Sequence, residues 1–207
     1  MTPPAARDRV HFDPDAMDTG AFYRVLNSVV VPRPIAWVST RSAAGVGNLA
    51  PHSFFTVACV DPPLVSITSV GAKDTLRNVQ ETGEMVISLA NRPLLERING
   101  TSAPYDPDVD EAEAEGLEMA PSTNVSVPRV AASPASLECT LHSVQELGNS
   151  WLILGRVVGI HVDDAVMQDG HPEFELMEPL SRLGRNEWGL PNEVVRIDRP
   201  TKAPGRD

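Results

Sequence analysis

Apolar and β-branched residues fall mostly in short runs separated by Gly, Pro, Asn and Asp, the pattern of strands, and helical spacing surfaces in only a few places. The first is AFYRVLNSVV (21–30), which puts Phe22, Leu26 and Val29 on one helical face before VPRP stops it. Residues 1–20, rich in Pro, Asp and Arg, predict an extended arm. From Pro34 the pattern changes: IAWVST is a β-branched run, RSAAGVGN a turn, and LAPHSFFTVACV (49–60) a strand. After Asp61-Pro62-Pro63 comes the strand LVSITS, then the glycine-bearing loop VGAK. DTLRNVQETG predicts a helix starting at Asp74 or Thr75, with Leu76 and Val79 three apart and Gly83 as its stop.

EMVISLA follows as a strand, and RPLLERINGTS as a second short helix. The acidic stretch APYDPDVDEAEAEGLE is too polar for the core and reads as a connector. ASLECTLHSVQEL and SWLILGRVVGIHVDD predict a long antiparallel pair turning at Gly148-Asn149. LMEPLSRLGRNEWGL and a closing strand EVVRID complete the pattern. Many short strands, few helices and no βα alternation specify a mainly β fold: an antiparallel barrel with peripheral helices. No repeat at solenoid or propeller spacing is visible, and one domain accounts for the chain.

Composition narrows the partners. The 207 residues carry a formal net charge of −11, with basic residues scattered singly, so a nucleic-acid backbone would meet repulsion. The start of the chain has no apolar run behind a basic stretch, and no run of ~18 apolar residues occurs, which together predict a cytoplasmic protein. The two cysteines, Cys59 and Cys139, each sit in a strand-like run without metal-ligand spacing, the pattern of reduced, buried thiols.

Several motifs weaken in context. Gly45-Val-Gly47-Asn-Leu-Ala50 fits a dinucleotide-binding loop, but Pro51 and β-patterned residues follow where a helix must begin, so both glycines read as hairpin residues with φ > 0. Asp106, Asp108 and Asp110 begin like a calcium loop, yet Glu111 and Leu117 occupy its glycine and glutamate positions. His52 and Ser53, adjacent on one predicted strand, should point to opposite faces, which disfavours a nucleophile and base pair. Asn99-Gly-Thr101 and Asn124-Val-Ser126 match a glycosylation sequon that has no meaning in a cytoplasmic chain. Lys73-Asp-Thr75 joins a glycine loop to a helix start: backbone amides, a hydroxyl and a lysine there suit a phosphate, against the plainer reading of an Asp or Thr cap. Together with Trp37, Ser39, Thr40 and the aromatic NLAPHSFF stretch it would suit a flat aromatic ligand with a phosphate tail; the competing reading of Phe54 and Phe55 is core packing.

The segments RPIAWVST (33–40), NLAPHSFF (48–55), DPPLV (61–65) and KDTLRN (73–78), in this order, resemble the flavin reductase-like family of FMN-binding split barrels. That family includes flavoredoxin and the reductase components of two-component monooxygenases. TSAPY (101–105), SLEC (136–139), GIHVDD (159–164) and RLG (182–184) extend the resemblance, which covers roughly residues 20–200. It implies an arm over 1–20, a flavin reductase-like FMN-binding domain over 21–200 and a tail over 201–207.

Further implications are a six-stranded antiparallel split barrel, a homodimer, and non-covalent FMN near the subunit interface. Trp37, Ser39 and Thr40 would line the flavin; Asn48, Ala50, Ser53, Phe54 and Phe55 would contact its ring and ribityl chain. Lys73, Asp74, Thr75 and Asn78 would hold the phosphate, and Arg182 would lie near the ring or the nicotinamide. The implied activity is hydride transfer from NAD(P)H to flavin, with a monooxygenase as one possible electron acceptor and no side-chain acid, base or nucleophile required. An FMN-binding electron carrier and a non-catalytic flavin-binding module share the same motifs and stay open.

Overall fold

The computed structural model describes residues 8–201. Seven strands form one antiparallel sheet: β1 (Ala36–Arg41), β2 (Gly47–His52), β3 (Phe55–Cys59), β4 (Leu64–Val70), β5 (Glu84–Leu89), β6 (Ala135–Leu147) and β7 (Ser150–Val162). Their order across the sheet is β2-β1-β5-β6-β7-β4-β3. The predicted single strand LAPHSFFTVACV is therefore two strands on opposite edges, broken at Ser53-Phe54. Because two residues connect the two edges, the sheet must roll until those edges meet at that corner. The result is a split β-barrel, closed covalently at one end instead of by a full ladder. The sheet has seven strands where the resemblance implies six.

The alternation of side chains across β1 separates two packed regions. Ala36 and Val38 join Val65, Ile67, Met85, Ile87, Cys139 and Ile153 in the larger cluster. Trp37, between them, faces Leu49, Ala90, Ile98, Ala112, Val130 and Leu180 in the second. The long hairpin forms as its glycine-asparagine turn predicts, with Gly148 at φ 63° between β6 and β7. Gly45 (φ 89°) turns the β1–β2 hairpin, whereas Gly47 lies in β2 without a positive φ; there a Cβ would displace the Asp110 carboxylate.

Helix α1 (Thr19–Val29) starts where the side chain of Asp18 accepts the Ala21 amide at 2.9 Å, and α2 (Asp74–Thr82) ends at the left-handed Gly83. Leu76 and Val79 of α2 pack into the larger cluster. The helix expected in RPLLERINGTS is α3 (Leu95–Gly100).

Four expectations are corrected. Residues 8–18 of the predicted arm include a short 3-10 turn at Pro14–Ala16, and the rest of the arm lies outside the described residues, as do 202–207 of the tail. The acidic connector is not excluded from the core: it folds into α4 (Glu111–Ala114), with Asp110 accepting the Ala112 and Glu113 amides and Ala112 buried in the second cluster. EVVRID is not a strand: among the described residues it pairs with no other strand, and Val195 and Ile197 stay 73% and 85% exposed, so the side-chain burial that would hold it in a sheet is missing. The cysteines are free, but only Cys139 is buried, and Cys59, on the edge strand β3, is half-buried. Among the described residues no helix is long and apolar enough to cross a membrane.

Candidate functional site

A cleft of about 600 Å³ opens where β2, the Ser53-Phe54 corner, the end of β4 and the start of α2 converge, with the 101–107 loop as its far wall. A volume of this size is typical of small-molecule and cofactor sites. Of the residues singled out in the sequence, Asn48, Ala50, Ser53, Phe54, Lys73, Asp74 and Thr75 line it.

The cleft's polar end is the start of α2. Lys73 occupies the N-cap, and its side chain makes no capping bond, so the first-turn amides lack the side-chain acceptor that an Asp or Thr cap would supply. Those amides and the Lys73 ammonium make this end electropositive. Asp74 is turned to Arg77, with which it forms an ion pair.

Beneath this end runs a buried chain of amides and hydroxyls. Asn78 and Asn48 both donate to Thr40 Oγ1 at 3.1 Å, and Asn48 also donates to Thr75 Oγ1 at 3.2 Å. His52 Nε2 lies 3.2 Å from the same Thr75 hydroxyl. Burial, reinforced by the positive charge of Lys73 and opposed by a hydrogen bond with the Thr68 backbone, holds the His52 imidazole down at about 4. It is neutral at pH 7.

The apolar end is built around Phe54. Its ring meets Tyr23 edge-on at a centroid distance of 6.4 Å, and the Arg33 guanidinium lies 6.0 Å from its centroid. Arg33 is itself buried, donating to the carbonyls of Asn27, Val30 and Leu183 at 2.6, 2.9 and 2.9 Å. It thereby ties the C-terminal end of α1 to the 182–184 segment. Burial pushes its pKa down.

The remaining sequence candidates lie elsewhere. Trp37 is wholly buried behind the cleft, donating from Nε1 to Thr101 Oγ1 at 2.9 Å. Ser39 and Thr40 are 2% exposed in β1, below the cleft floor. Phe55 points the other way from Phe54 and packs against the larger core cluster. Asn78 faces a smaller adjoining cavity of about 110 Å³. Arg182 stands over the Trp188 ring at 4.9 Å, apart from the cleft lining.

Sequence reasoning passed over three contributors. His52 has no role in the sequence reading beyond a disfavoured pairing with Ser53, yet it lines the cleft beside Ser53, because β2 ends at His52 and the chain bends at Ser53. Glu111, in the discounted acidic stretch, accepts the Leu49 amide at 2.8 Å and faces both cavities. Burial pushes its pKa up, with Asp110 and Asp74 adding to the shift. Tyr105, whose hydroxyl donates to Glu115 at 2.9 Å, anchors the wall loop. The pairing of Thr75 with His52 across a turn of helix and a strand end had no local signal.

Residues 28–175 match the model of the flavin reductase like domain. The chain belongs to that family. A 41% identical relative of this flavin reductase-like protein is an uncharacterised protein of Halalkalibacterium halodurans, with 94% of this chain and 99% of that one covered. Among solved structures, nitrilotriacetate monooxygenase component B from Bacillus cereus is 29% identical, with a TM-score of 0.88 over 93% of this chain and 100% of that one. Pseudomonas fluorescens 2-nitrobenzoate 2-nitroreductase is 28% identical, with a TM-score of 0.88 over 94% and 98%. The match takes in every segment of the cleft between Asn48 and Glu111, while Arg182 and Trp188 lie beyond it.

Proposed function

We propose that this flavin reductase-like protein binds FMN in the cleft and reduces it with NAD(P)H. The observation that carries the reading is the α2 terminus: a helix N-terminus without a side-chain cap, with a lysine at the N-cap, at one end of a cleft whose other end is aromatic. A phosphate suits the first and a flat ring the second. The residues present fit the group.

Lys73, Thr75 and the first-turn amides of α2 would hold the phosphate. Asn48, Ala50 and Ser53 would meet the ribityl chain and the polar edge of the ring, with Phe54 against its apolar part. Trp37, Ser39, Thr40, Phe55 and Asn78 act from behind, by fixing β1, the corner and α2. When bound, the flavin supplies the hydride acceptor for NAD(P)H, and the chain's own task is to bind, orient and shield it. Arg182, over the Trp188 ring and apart from the cleft lining, would meet the outer edge of the flavin ring or the nicotinamide.

Likeness to component B of a monooxygenase favours delivery of reduced flavin to a partner oxygenase. The reading extends to a homodimer, supported by α1, none of whose residues is buried and whose Leu26 and Val29 are 47% and 69% exposed.

The test is a visible absorption scan of protein reconstituted with FMN, with NADH and NADPH then added anaerobically. Flavin bands that bleach within seconds are the expected result. Bands that stay oxidised until dithionite is added would make the protein an electron carrier, and failure to bind flavin would remove the reading.

A further inference from the structure

The His52–Thr75 contact has no part in the function proposed above, and it sits at the electropositive end of the cleft. The hydroxyl of Thr75 accepts from Asn48 Nδ2 at 3.2 Å, and His52 Nε2 lies at the same distance from it. The ring donates to the Thr68 backbone, which assigns the proton of the neutral imidazole to Nδ1; Nε2 is then the acceptor, and the Thr75 hydroxyl proton points to it. A phosphate arriving at the α2 terminus needs that proton for itself. Once the hydroxyl turns to the ligand, Nε2 is left in a half-buried site without a donor, unless the ring takes up a proton and becomes the donor to Thr75.

We propose that His52 couples phosphate binding to proton uptake: a phosphate dianion at the α2 terminus reverses the Thr75–His52 hydrogen bond and protonates the imidazole. The inference rests on the reading of the cleft as a flavin phosphate site, and it makes a phosphate monoester able to carry two charges the favoured ligand. The charge balance agrees. Lys73 is the cation that disfavours imidazolium in the free protein, and a dianion beside Lys73 cancels that repulsion. The other ionisable groups lining the cleft are Asp74 and Arg77 from α2, Tyr23 from α1, and Tyr105 and Glu111 from the wall. Asp74 and Arg77 pair with each other, and Tyr105 donates to Glu115.

The experiment is calorimetric titration of the folded chain with FMN and with riboflavin between pH 5.5 and 8, in buffers of different ionisation heat. It is run on the wild type, His52→Gln and Thr75→Val. The phosphate of free FMN titrates near pH ~6 on its own account, identically in all three titrations, so the difference between the proteins reports groups of the bound complex, His52 first among them. The expected result is that the wild type takes up a larger fraction of a proton than either variant on binding FMN below pH ~7. Its FMN affinity relative to His52→Gln then rises as pH falls, by at most about tenfold per unit. Riboflavin should show no such difference.

Tighter binding of FMN than of riboflavin, with the same proton balance in wild type and His52→Gln, would overturn the coupling and leave the phosphate site standing. Equal affinity for FMN and riboflavin in the wild type would remove the phosphate site and the coupling with it. A His52→Gln variant that unfolds leaves Thr75→Val to decide, since a valine there keeps the side-chain shape and deletes the hydroxyl.

Discussion

Trp37 Nε1 donates to Thr101 Oγ1 at 2.9 Å, and Thr101 Oγ1 in turn donates to the Ile98 carbonyl at 3.0 Å. A fully buried residue of the second core cluster thus fixes the loop that walls the cleft. Trp37→Phe keeps most of the apolar contact and deletes the donor. Its expected cost is about 1–3 kcal/mol of stability, read as a lower urea midpoint, together with faster proteolysis in the 101–107 loop. Unchanged proteolysis would detach the loop from Trp37.

Lys73→Ala with Thr75→Ala removes two groups from the start of α2. If both bind the phosphate, FMN affinity should fall by roughly 3–6 kcal/mol, at ~1.5–3 kcal/mol for each bond to a charged group. Fluorescence titration reads this directly, and riboflavin, which has no phosphate, should lose little.

His52 gives the free protein a pH dependence of known sign. Its pKa falls from 6.5 to about 4 on folding, so between those values the unfolded chain binds the extra proton. Stability should therefore decline as pH drops through 6.5 and stop declining from this cause near 4, a loss on the order of 3 kcal/mol at most. Denaturant midpoints from pH 7.5 to 4 would show it, and His52→Gln should flatten that window.

Glu138 acts in a lower window. Burial alone would push its pKa up, but the amides of Thr123 and Asn124, both at 2.7 Å, the Asn124 side chain at 2.8 Å and His161 at 2.5 Å outweigh that and hold it at about 2. A depressed carboxyl stabilises the fold above its unfolded pKa of 4.5, and that contribution is lost as pH falls from there towards 2. Glu138→Gln should destabilise at pH 7 by about 1–3 kcal/mol, because the amide cannot accept from every donor around it, and should abolish the steep fall below pH 4.5.

The exposed face of α1 predicts the oligomeric state. Wild type should sediment as a dimer, and Leu26→Glu with Val29→Glu as a folded monomer. A monomeric wild type at micromolar concentration would end the interface assignment.

Period-two alternation, the Gly148-Asn149 turn and the Gly83 stop are local features, and they determined the strand-rich fold, the long hairpin and the extent of α2. The family segments likewise marked seven of the residues that line the cleft. Tertiary structure decided what depends on distant partners. It broke NLAPHSFFTV at Ser53-Phe54, since a strand's pairing partner is not written in its own residues, and that break sends Phe54 to the cleft and Phe55 to the core. Tertiary packing also made Glu111 part of the site by placing its carboxylate 2.8 Å from the Leu49 amide, where burial of an acidic residue is offset by a hydrogen bond no neighbour in sequence supplies. And it brought His52 to Thr75, a proton acceptor to a hydroxyl 23 residues away, a relationship that exists only once α2 lies across the end of β2.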